Sequence, residues 1–287
     1  MNALRSMAAA LGGDVVGRSI LCPGPGHSPR DRSLSVSLAP ADPDGFIVHS
    51  HAGDDWRPCR EHVLQRLGRT ARIEPVKRER NVSVTVPRSD NSMAQALWRE
   101  AVEPRGTIAQ HYLEGHRRLE LFEDVANRVV RFHPSCPFGP GVRHPCMLLA
   151  FRSIADDKLQ AIHRTALSPE GKKIDRKMLG PVAGAAIKID PDEDVGQGLT
   201  IGEGFETCLA GRQLGFRPVW ALGSAGAIGT FPVLSGIDAL TILAETDDSG
   251  ANAQAIRTCG TRWAAEQREV IVAMPRAAGD MNDALRA

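Results

Sequence analysis

The sequence predicts an α/β fold for the C-terminal third of the chain, an α+β fold for its middle and a small mixed unit at its start. In the C-terminal part, strand-like apolar segments alternate with helical segments, which is typical of a mostly parallel sheet covered on both faces. In the middle, two helical segments precede a run of strands. With 287 residues, of which 42% are hydrophobic, the chain is long enough to bury more than one core.

The periodicity of the C-terminal part predicts four strands and two helices. The strands span residues 199–202, 219–222, 240–244 and 270–273, and the helices span 205–214 and 251–267. Ligands of parallel sheets bind beyond the carboxyl ends of the strands. We therefore expect the functional residues just after each strand.

The rest of the chain divides into three further sections. Residues 92–195 begin with the helical patterns MAQALWREAV and TIAQHYLEGH and continue into strands near VVRFHP, CMLLAFR and LQAIHRTAL. Residues 69–91 are polar, basic and contain proline, which predicts a linker. Residues 1–68 contain two alternating strands, 34–38 and 46–48, and a helix over 56–67. The last section is 196–287.

Charge is unevenly divided along the chain. Residues 1–189 contain 28 Lys and Arg against 20 Asp and Glu, whereas residues 196–287 contain 7 against 10. This difference predicts that residues 1–189 bind a polyanion and that residues 196–287 bind cations. A chance fluctuation is the alternative interpretation.

Acidic residues follow three of the four C-terminal strands. They are Glu203 between Gly202 and Gly204, then Glu245, Asp247 and Asp248, and finally Asp280 and Asp283. Carboxylates at one sheet edge repel one another unless a cation neutralises them, and Mg²⁺ or Mn²⁺ prefers oxygen ligands. For Glu206 the simpler interpretation is a solvated helix residue, and for Asp283 it is a helix cap.

These residues resemble the Toprim domain shared by primases, topoisomerases and some nucleases. The resemblance covers about residues 196–287 and is closest to phage- and plasmid-borne primases. It rests on Glu203 in a strand–turn–helix, on Glu245-x-Asp247 followed by Ser249-Gly250, and on the closing GDMNDAL. It implies that Glu203 is an acid/base or metal-organising group and that Glu245 and Asp247 hold Mg²⁺. Asp248 is an alternative ligand, Asp280 and Asp283 are supporting acids, and the usual Asp-x-Asp is Glu-x-Asp here.

The resemblance also implies an activity. It predicts a Mg²⁺-dependent nucleotidyltransferase, a DNA primase of a mobile element, whose partners are single-stranded DNA, nucleoside triphosphates and a separate replicative helicase. A Toprim nuclease and a catalytically inactive DNA-binding replication partner are the alternatives. A topoisomerase would need a tyrosine nucleophile, and the only tyrosine, Tyr112, lies far from the acids in sequence.

The middle section resembles the basic subdomain that precedes the Toprim fold in primase cores. Its cationic side chains would hold the phosphates of single-stranded DNA. The candidates are Arg131, Arg143, Arg152, Arg164, Lys172, Lys173, Arg176 and Lys177. For Lys172 and Lys173 a solvated face is the alternative.

A further candidate phosphate site follows the second C-terminal strand. There, Gly223-Ser224 either exposes backbone N–H groups toward a phosphate or forms only a tight turn.

The N-terminal unit resembles the zinc-binding domain that precedes primase cores, on the stretch CPGPGH followed by SLSV. Cys22 and His27 occupy the first two ligand places. A structural Zn²⁺ site has four ligands, so His49 or His51 and Cys59 or His62 would complete it. The alternative is that Cys22 is a small buried hydrophobe.

Several function classes are disfavoured by what the sequence lacks. No Walker A pattern is present, so we expect no NTP-driven motor in this chain. No apolar run approaches about 18 residues, and no segment has the features of a signal peptide, so we expect a cytoplasmic protein without a membrane partner. Six scattered cysteines without a C-x-x-C pair fit reduced thiols.

Overall fold

The computed structural model describes residues 2–16, 19–38, 46–68, 90–246, 250–276 and 279–286. By its internal contacts the chain divides into two compact units, Met1–Arg78 and Glu79–Ala287. The predicted linker lies outside the described residues except for residues 90 and 91. Asp247, Asp248 and Ser249 of the predicted acidic turn lie outside them as well.

The first unit contains a four-stranded antiparallel sheet, in the order β1-β2-β3-β4, and two helices. Its elements are α1 (Asn2–Leu11), β1 (Asp14–Val16), β2 (Ser19–Cys22), β3 (Leu34–Leu38), β4 (Phe46–Ser50) and α2 (Trp56–Arg66). The last three correspond to the predicted strands and helix. The first three were not predicted, because β1 and β2 are only three and four residues long.

The second unit begins with α3 (Ser92–Glu100) and α4 (Ile108–Gln110), and α4 continues into a π-helical turn over His111–His116. Five strands follow: β5 (Val130–Gly139), β6 (Val142–Ser153), β7 (Leu159–Leu167), β8 (Lys173–Leu179) and β9 (Ala185–Lys188). The remaining elements are β10 (Gly198–Gly202), α5 (Phe205–Gln213), β11 (Val219–Ala221), α6 (Ala225–Thr230), β12 (Ala239–Leu243), α7 (Ala251–Ala265), β13 (Glu269–Ala273) and α8 (Met281–Arg286).

One mixed sheet of nine strands runs through the second unit. Its order is β13-β12-β10-β11-β9-β6-β7-β8, and β5 pairs with β6. Strands β10 to β13 are parallel, as the alternation of strands and helices predicts. Strand β9 pairs antiparallel with both β11 and β6. The predicted middle and C-terminal sections are therefore joined through hydrogen-bonded strands.

Strand β7 has two buried faces, because its residues alternate between two cores. Ala161 and Leu167 pack in a core that includes Phe205 of α5. Ile162 and Ala166 pack in a core that includes Trp98 of α3. From Ala161 onward, residues at odd positions of β7 thus face α5, and residues at even positions face α3.

The junction between the middle and C-terminal sections contains a buried carboxylate. Asp190 is fully buried. It accepts hydrogen bonds from Arg212 Nε at 3.0 Å, Arg217 Nη2 at 2.6 Å and the Val219 backbone N–H at 2.9 Å. Two guanidinium groups and a backbone donor compensate the cost of burying this charge.

None of the helices in the described ranges is long and apolar enough to cross a membrane. Strand β8, with the sequence KIDRKML, was not predicted as a strand. It is an edge strand whose residues are largely exposed, so its sequence lacks the apolar alternation that marks a half-buried strand.

Candidate functional site

Three acidic residues lie beyond the carboxyl ends of parallel strands in the second unit. Glu203 directly follows β10, Glu245 follows β12, and Asp280 follows β13 through a short connection. We call these three residues the acidic edge. Parallel strands end at the same side of a sheet, so the topology brings together side chains that are up to 77 residues apart.

Asn252 connects two members of the acidic edge. Its Nδ2 donates to Glu203 Oε2 at 3.1 Å, and its Oδ1 accepts from the Glu245 backbone N–H at 3.4 Å. Asn252 lies in the first turn of α7 and is 1% exposed. The Asn252 amide therefore connects the Glu203 side chain to the backbone of Glu245.

The Thr207 hydroxyl lies between the other two members. Its Oγ1 is 3.1 Å from Glu245 Oε1 and 3.0 Å from Asp280 Oδ2. A hydroxyl has one proton and donates to one carboxylate at a time. Two carboxylates thus share a single buried donor, and one of them lacks a proton from Thr207 at any moment. This arrangement is expected where a cation or substrate completes the site.

The closing motif GDMNDAL folds into the start of α8. The Asp283 backbone N–H donates to Asp280 Oδ1 at 2.9 Å, and the Asp280 backbone N–H donates to Asp283 Oδ2 at 3.3 Å. This reciprocal pair caps the helix. Asp283 therefore has the capping role that the sequence left as an alternative, while the second oxygen of Asp280 faces Thr207.

Gly202 is required by packing at the end of β10. A Cβ added there would lie 2.6 Å from Cys208 Sγ and 3.4 Å from Leu243 Cβ. Cys208 is fully buried, and burial raises the pKa of its thiol well above the ordinary value. The glycine before Glu203 thus allows α5 to pack closely on β10 and β12.

The donor set of the acidic edge fits Mg²⁺, because all its side-chain ligands are hard oxygen atoms. Among the residues that the structure describes, no group of three or more His, Cys, Asp and Glu is arranged to hold a metal. Mg²⁺ is commonly bound by one or two carboxylates together with water and substrate phosphates. Glu245 and Asp280 are two such carboxylates, both within hydrogen-bond distance of the Thr207 hydroxyl. The predicted ligands Asp247 and Asp248 lie outside the described residues.

The turn after β11 contains Gly223 and Ser224. The Gly223 N–H donates to the Glu203 carbonyl at 2.8 Å, and Ser224 Oγ accepts from the Ala227 N–H at 3.2 Å. A Cβ at Gly223 would lie 2.6 Å from the Phe151 ring, and its φ is +87°. These contacts favour the tight-turn alternative over a phosphate site.

Five of the predicted DNA-binding residues are exposed, and four of them lie on or beside β8. They are Arg143, Lys172, Lys173, Arg176 and Lys177. In the register of β7 and β8, Arg176 pairs with Thr165, whereas Lys177 pairs with Arg164. Arg176 therefore lies on the face directed toward α5. Lys177 lies on the opposite face, where its Nζ donates to the Phe138 carbonyl at 3.1 Å.

The other three predicted DNA-binding residues make internal contacts. Arg164 is 9% exposed and donates to the Pro137 carbonyl at 2.5 Å, with its guanidinium 5.5 Å from the Phe138 ring. Half-buried Arg131 donates to the Trp98 carbonyl at 2.9 Å, and half-buried Arg152 donates to the Asp157 carbonyl at 3.1 Å. Arg164 thus has a structural role in addition to any contact with DNA.

Glu206 and Tyr112 differ from the sequence interpretation. Tyr112 is 3% exposed, and its hydroxyl donates to Glu206 Oε1 at 2.8 Å. Glu206 is half-buried and is not a solvated helix residue. His163 of β7 lies nearby, and burial lowers its pKa to about 4, with Glu206 opposing that shift. The only tyrosine in the sequence is therefore adjacent to the first turn of α5, although it is distant in sequence.

Within the described ranges, the predicted zinc ligands of the first unit do not form a group that could hold a metal ion. Cys22 and Cys59 are fully buried in its apolar core, and burial raises the pKa of both thiols to about 11. His27 instead contacts Asp31 at 2.9 Å and Asp54 at 3.3 Å. The placement of Cys22 matches the alternative of a buried hydrophobe, and zinc binding stays a prediction.

Sequence reasoning missed Thr207 and Asn252, the two polar residues that connect the acids. Each lies in the first turn of the helix that follows a predicted strand, Thr207 in GEGFET and Asn252 in SGANAQ. A buried polar side chain in the first turn of a helix that begins at a strand end was the signal available. Neither residue is acidic, so the pattern of acids after strand ends does not include them.

Two family models match the chain. Residues 198–287 match a model described as a Toprim domain, and residues 88–189 match a domain of unknown function, DUF7146. No curated protein matches the chain.

Two solved structures of bacterial primases align with the chain. The zinc-binding and RNA polymerase domains of Aquifex aeolicus primase align with a TM-score of 0.44 and 11% identity, over 100% of this chain and 80% of that one. A DNA primase domain from Pseudomonas aeruginosa aligns with a TM-score of 0.46 and 15% identity, over 64% of this chain and 68% of that one. On the family match and the acidic edge, residues 198–287 form a Toprim domain.

Proposed function

We propose that the protein is a Mg²⁺-dependent nucleotidyltransferase of the primase type, acting on a single-stranded DNA template with nucleoside triphosphates. The observation that carries this proposal is the acidic edge of the Toprim domain, where Glu245 and Asp280 converge on Thr207 and Asn252 holds Glu203. The oxygen-only donor set is suited to Mg²⁺ and to a phosphorylated substrate.

Glu203 is the residue proposed to take the proton of the attacking group. Its Oε2 accepts from Asn252, which leaves Oε1 for a 3′-hydroxyl. In the reaction, that hydroxyl oxygen bonds to the α-phosphorus of an incoming nucleotide, its proton passes to Glu203, and the bond to the leaving pyrophosphate breaks. Bound Mg²⁺ would polarise the phosphoryl oxygens and stabilise the developing charge.

The surface beside the acidic edge supports a polyanionic substrate. Arg176 lies on the face of β8 directed toward α5, and Lys172 and Lys173 are exposed at the start of the same strand. Cations in this position would hold backbone phosphates near the reacting groups. Strand β9 fixes the relation between this face and the Toprim sheet, because it pairs with strands of both sections.

The first experiment separates synthesis from cleavage. The parent protein is incubated with single-stranded templates, labelled nucleotides and Mg²⁺, and in parallel with supercoiled and linear DNA without nucleotides. We expect template-dependent synthesis, and we expect Glu203→Gln to lower it by about 100-fold or more, since the variant removes a general base and an acid of the metal site. Its unfolding temperature should stay close to that of the parent.

Glu266→Gln is the matched control, because Glu266 is exposed at the end of α7 and away from the acidic edge. It should leave synthesis unchanged. Mg²⁺-dependent nicking without synthesis would favour the nuclease alternative, and DNA binding without any turnover would favour the inactive binding protein. A fully active Glu203→Gln protein would remove Glu203 from the proposed role.

The second experiment tests the basic face. Alanine at Lys172, Lys173 and Arg176 together should weaken single-stranded DNA binding and lower the slope of log affinity against log salt by about 2, because roughly 0.7 counterion is released per phosphate contact. Unchanged affinity and slope would contradict this placement.

Arg164→Leu provides the comparison variant. It should chiefly lower stability, by about 2 kcal/mol, because it removes the charged donor to the Pro137 and Met178 carbonyls. Its effect on the salt slope should be small.

A further inference from the structure

The contact between Tyr112 and Glu206 connects the middle section to the Toprim domain. Tyr112 is the only tyrosine in the chain. Its hydroxyl, in a side chain that is 3% exposed, donates to Glu206 Oε1 at 2.8 Å across 94 positions of sequence. Burial and the neighbouring Glu206 carboxylate both raise the pKa of this hydroxyl, so it stays protonated as a donor.

The backbone around Tyr112 is unusual. His111–His116 form a π-helical turn, in which the Arg117 N–H bonds to the Tyr112 carbonyl at 3.0 Å. Such turns are rare and occur frequently at functional sites. The wider π-helical turn changes the angular position of the residues that follow α4. Tyr112 and Leu113 are the two buried residues of this turn.

Glu206 lies one residue before Thr207 in the first turn of α5. Thr207 is the donor on which the Glu245 and Asp280 carboxylates converge. A small rotation of this turn would move the Thr207 hydroxyl relative to both carboxylates. The bond from Tyr112 restrains such a rotation from outside the Toprim sheet.

We propose that Tyr112 is a positioning residue for the acidic edge. Its bond to Glu206 fixes the first turn of α5 and, through Thr207, the placement of Glu245 and Asp280, and so sets the affinity of the site for Mg²⁺. Neither Tyr112 nor Glu206 touches the reacting groups in this assignment. The inference rests on the proposed function, because it takes the acidic edge as the Mg²⁺ site.

The test is a calorimetric titration of the full-length protein with Mg²⁺, with the unfolding temperature measured in parallel. Tyr112→Phe removes only the hydroxyl, and Glu206→Ala removes its acceptor. We expect each to weaken Mg²⁺ binding by about tenfold, the scale of outer-shell substitutions at metal sites. The double variant should be no weaker than either single variant, because both remove the same bond.

Glu206→Gln discriminates positioning from direct binding. The amide oxygen of Gln still accepts from Tyr112, so this variant should bind Mg²⁺ within about twofold of the parent. A loss as large as that of Glu206→Ala would show that the Glu206 charge itself holds the ion, and would overturn the inference. Glu114→Ala is the control on the exposed side of the same turn and should change nothing in Mg²⁺ binding.

The remaining outcomes also separate the two proposals. If the parent binds Mg²⁺ and Tyr112→Phe binds it equally well, the positioning role fails while the proposed function stands. If Tyr112→Phe lowers the unfolding temperature without changing Mg²⁺ affinity, the bond is only structural and the inference is overturned. If the parent binds no Mg²⁺, both proposals fail together.

Discussion

The sequence predicts a metal site in two regions, and the surroundings of the predicted ligands differ between the two. In the first unit, the two cysteines lie in an apolar core and His27 contacts Asp31 and Asp54. In the Toprim domain, Glu245 and Asp280 converge on one hydroxyl at the sheet edge. The first prediction depended on residue types at a spacing that departs from its family, whereas the second depended on strand ends.

The difference shows which kind of sequence pattern predicts where side chains lie in the folded protein. Parallel strands end at one edge whatever the loop lengths, so acids placed directly after such strands lie along the same edge. A zinc site needs four side chains at defined positions, so its prediction depends on every one of those residues. In the first unit, His27 contacts Asp31 and Asp54.

The largest effect that separates the two regions is expected from Cys22→Ser. Cys22 is fully buried, and a serine hydroxyl without a partner in an apolar core costs about 2 kcal/mol. We expect this loss of stability in chemical unfolding. If Cys22 is only a buried hydrophobe, elemental analysis should show no change in metal content. About one zinc per parent chain, released by this substitution, would restore the zinc-site interpretation.

A smaller effect is expected from Thr207→Val at the acidic edge. The variant keeps the shape and removes the hydroxyl between Glu245 and Asp280, so unfolding without metal should be easier by about 1 kcal/mol. The increase in unfolding temperature on adding Mg²⁺ should also shrink. Thr258→Val is the control, because Thr258 donates to a helix carbonyl on the exposed side of α7. Equal behaviour of the two variants would count against a special role for Thr207.

The smallest effect concerns two histidines whose pKa values move in opposite directions. Hydrogen bonding to Asp31 raises the pKa of His27, so its contribution to stability is present below pH 6.5 and is lost as pH rises through the raised value. Burial lowers the pKa of His163 to about 4, so stability is present above pH 6.5 and is lost as pH falls toward 4. Glu206 opposes that shift, and Arg176, Lys173 and Arg164 support it.

Chemical unfolding of the parent and of His163→Gln at pH 7 and pH 5 measures this contribution. The parent should lose about 0.5–1 kcal/mol more than the variant on acidification, since one pKa unit corresponds to about 1.4 kcal/mol before solvent screening. Equal losses would mean that His163 is not buried as a neutral group. His27→Gln should change the pH dependence in the opposite direction.

The sequence predicts the local secondary structure well. The four Toprim strands and the helices that follow β10 and β12 were predicted to within two residues at each end, because apolar runs and glycine turns mark them. Strand β8 was missed because its edge position leaves charged residues on both faces.

Contacts between distant segments account for what was missed at the site. The burial of Arg164 follows from Phe138 and Pro137, which lie on another strand of the sheet. The bond from Tyr112 to Glu206 depends on how α5 packs against the π-helical turn. No periodicity within either segment contains this information.

The shared sheet limits how the protein can be divided. A fragment that begins at residue 198, where the Toprim match begins, would lose β9 from the side of β11. The Toprim fragment would expose an unpaired strand edge, a template for aggregation. It would also lack Asp190, and the guanidinium of Arg212, 4% exposed, would lose a carboxylate partner. The matched segment is a unit of sequence, but its physical boundary includes the strand and the aspartate that precede it.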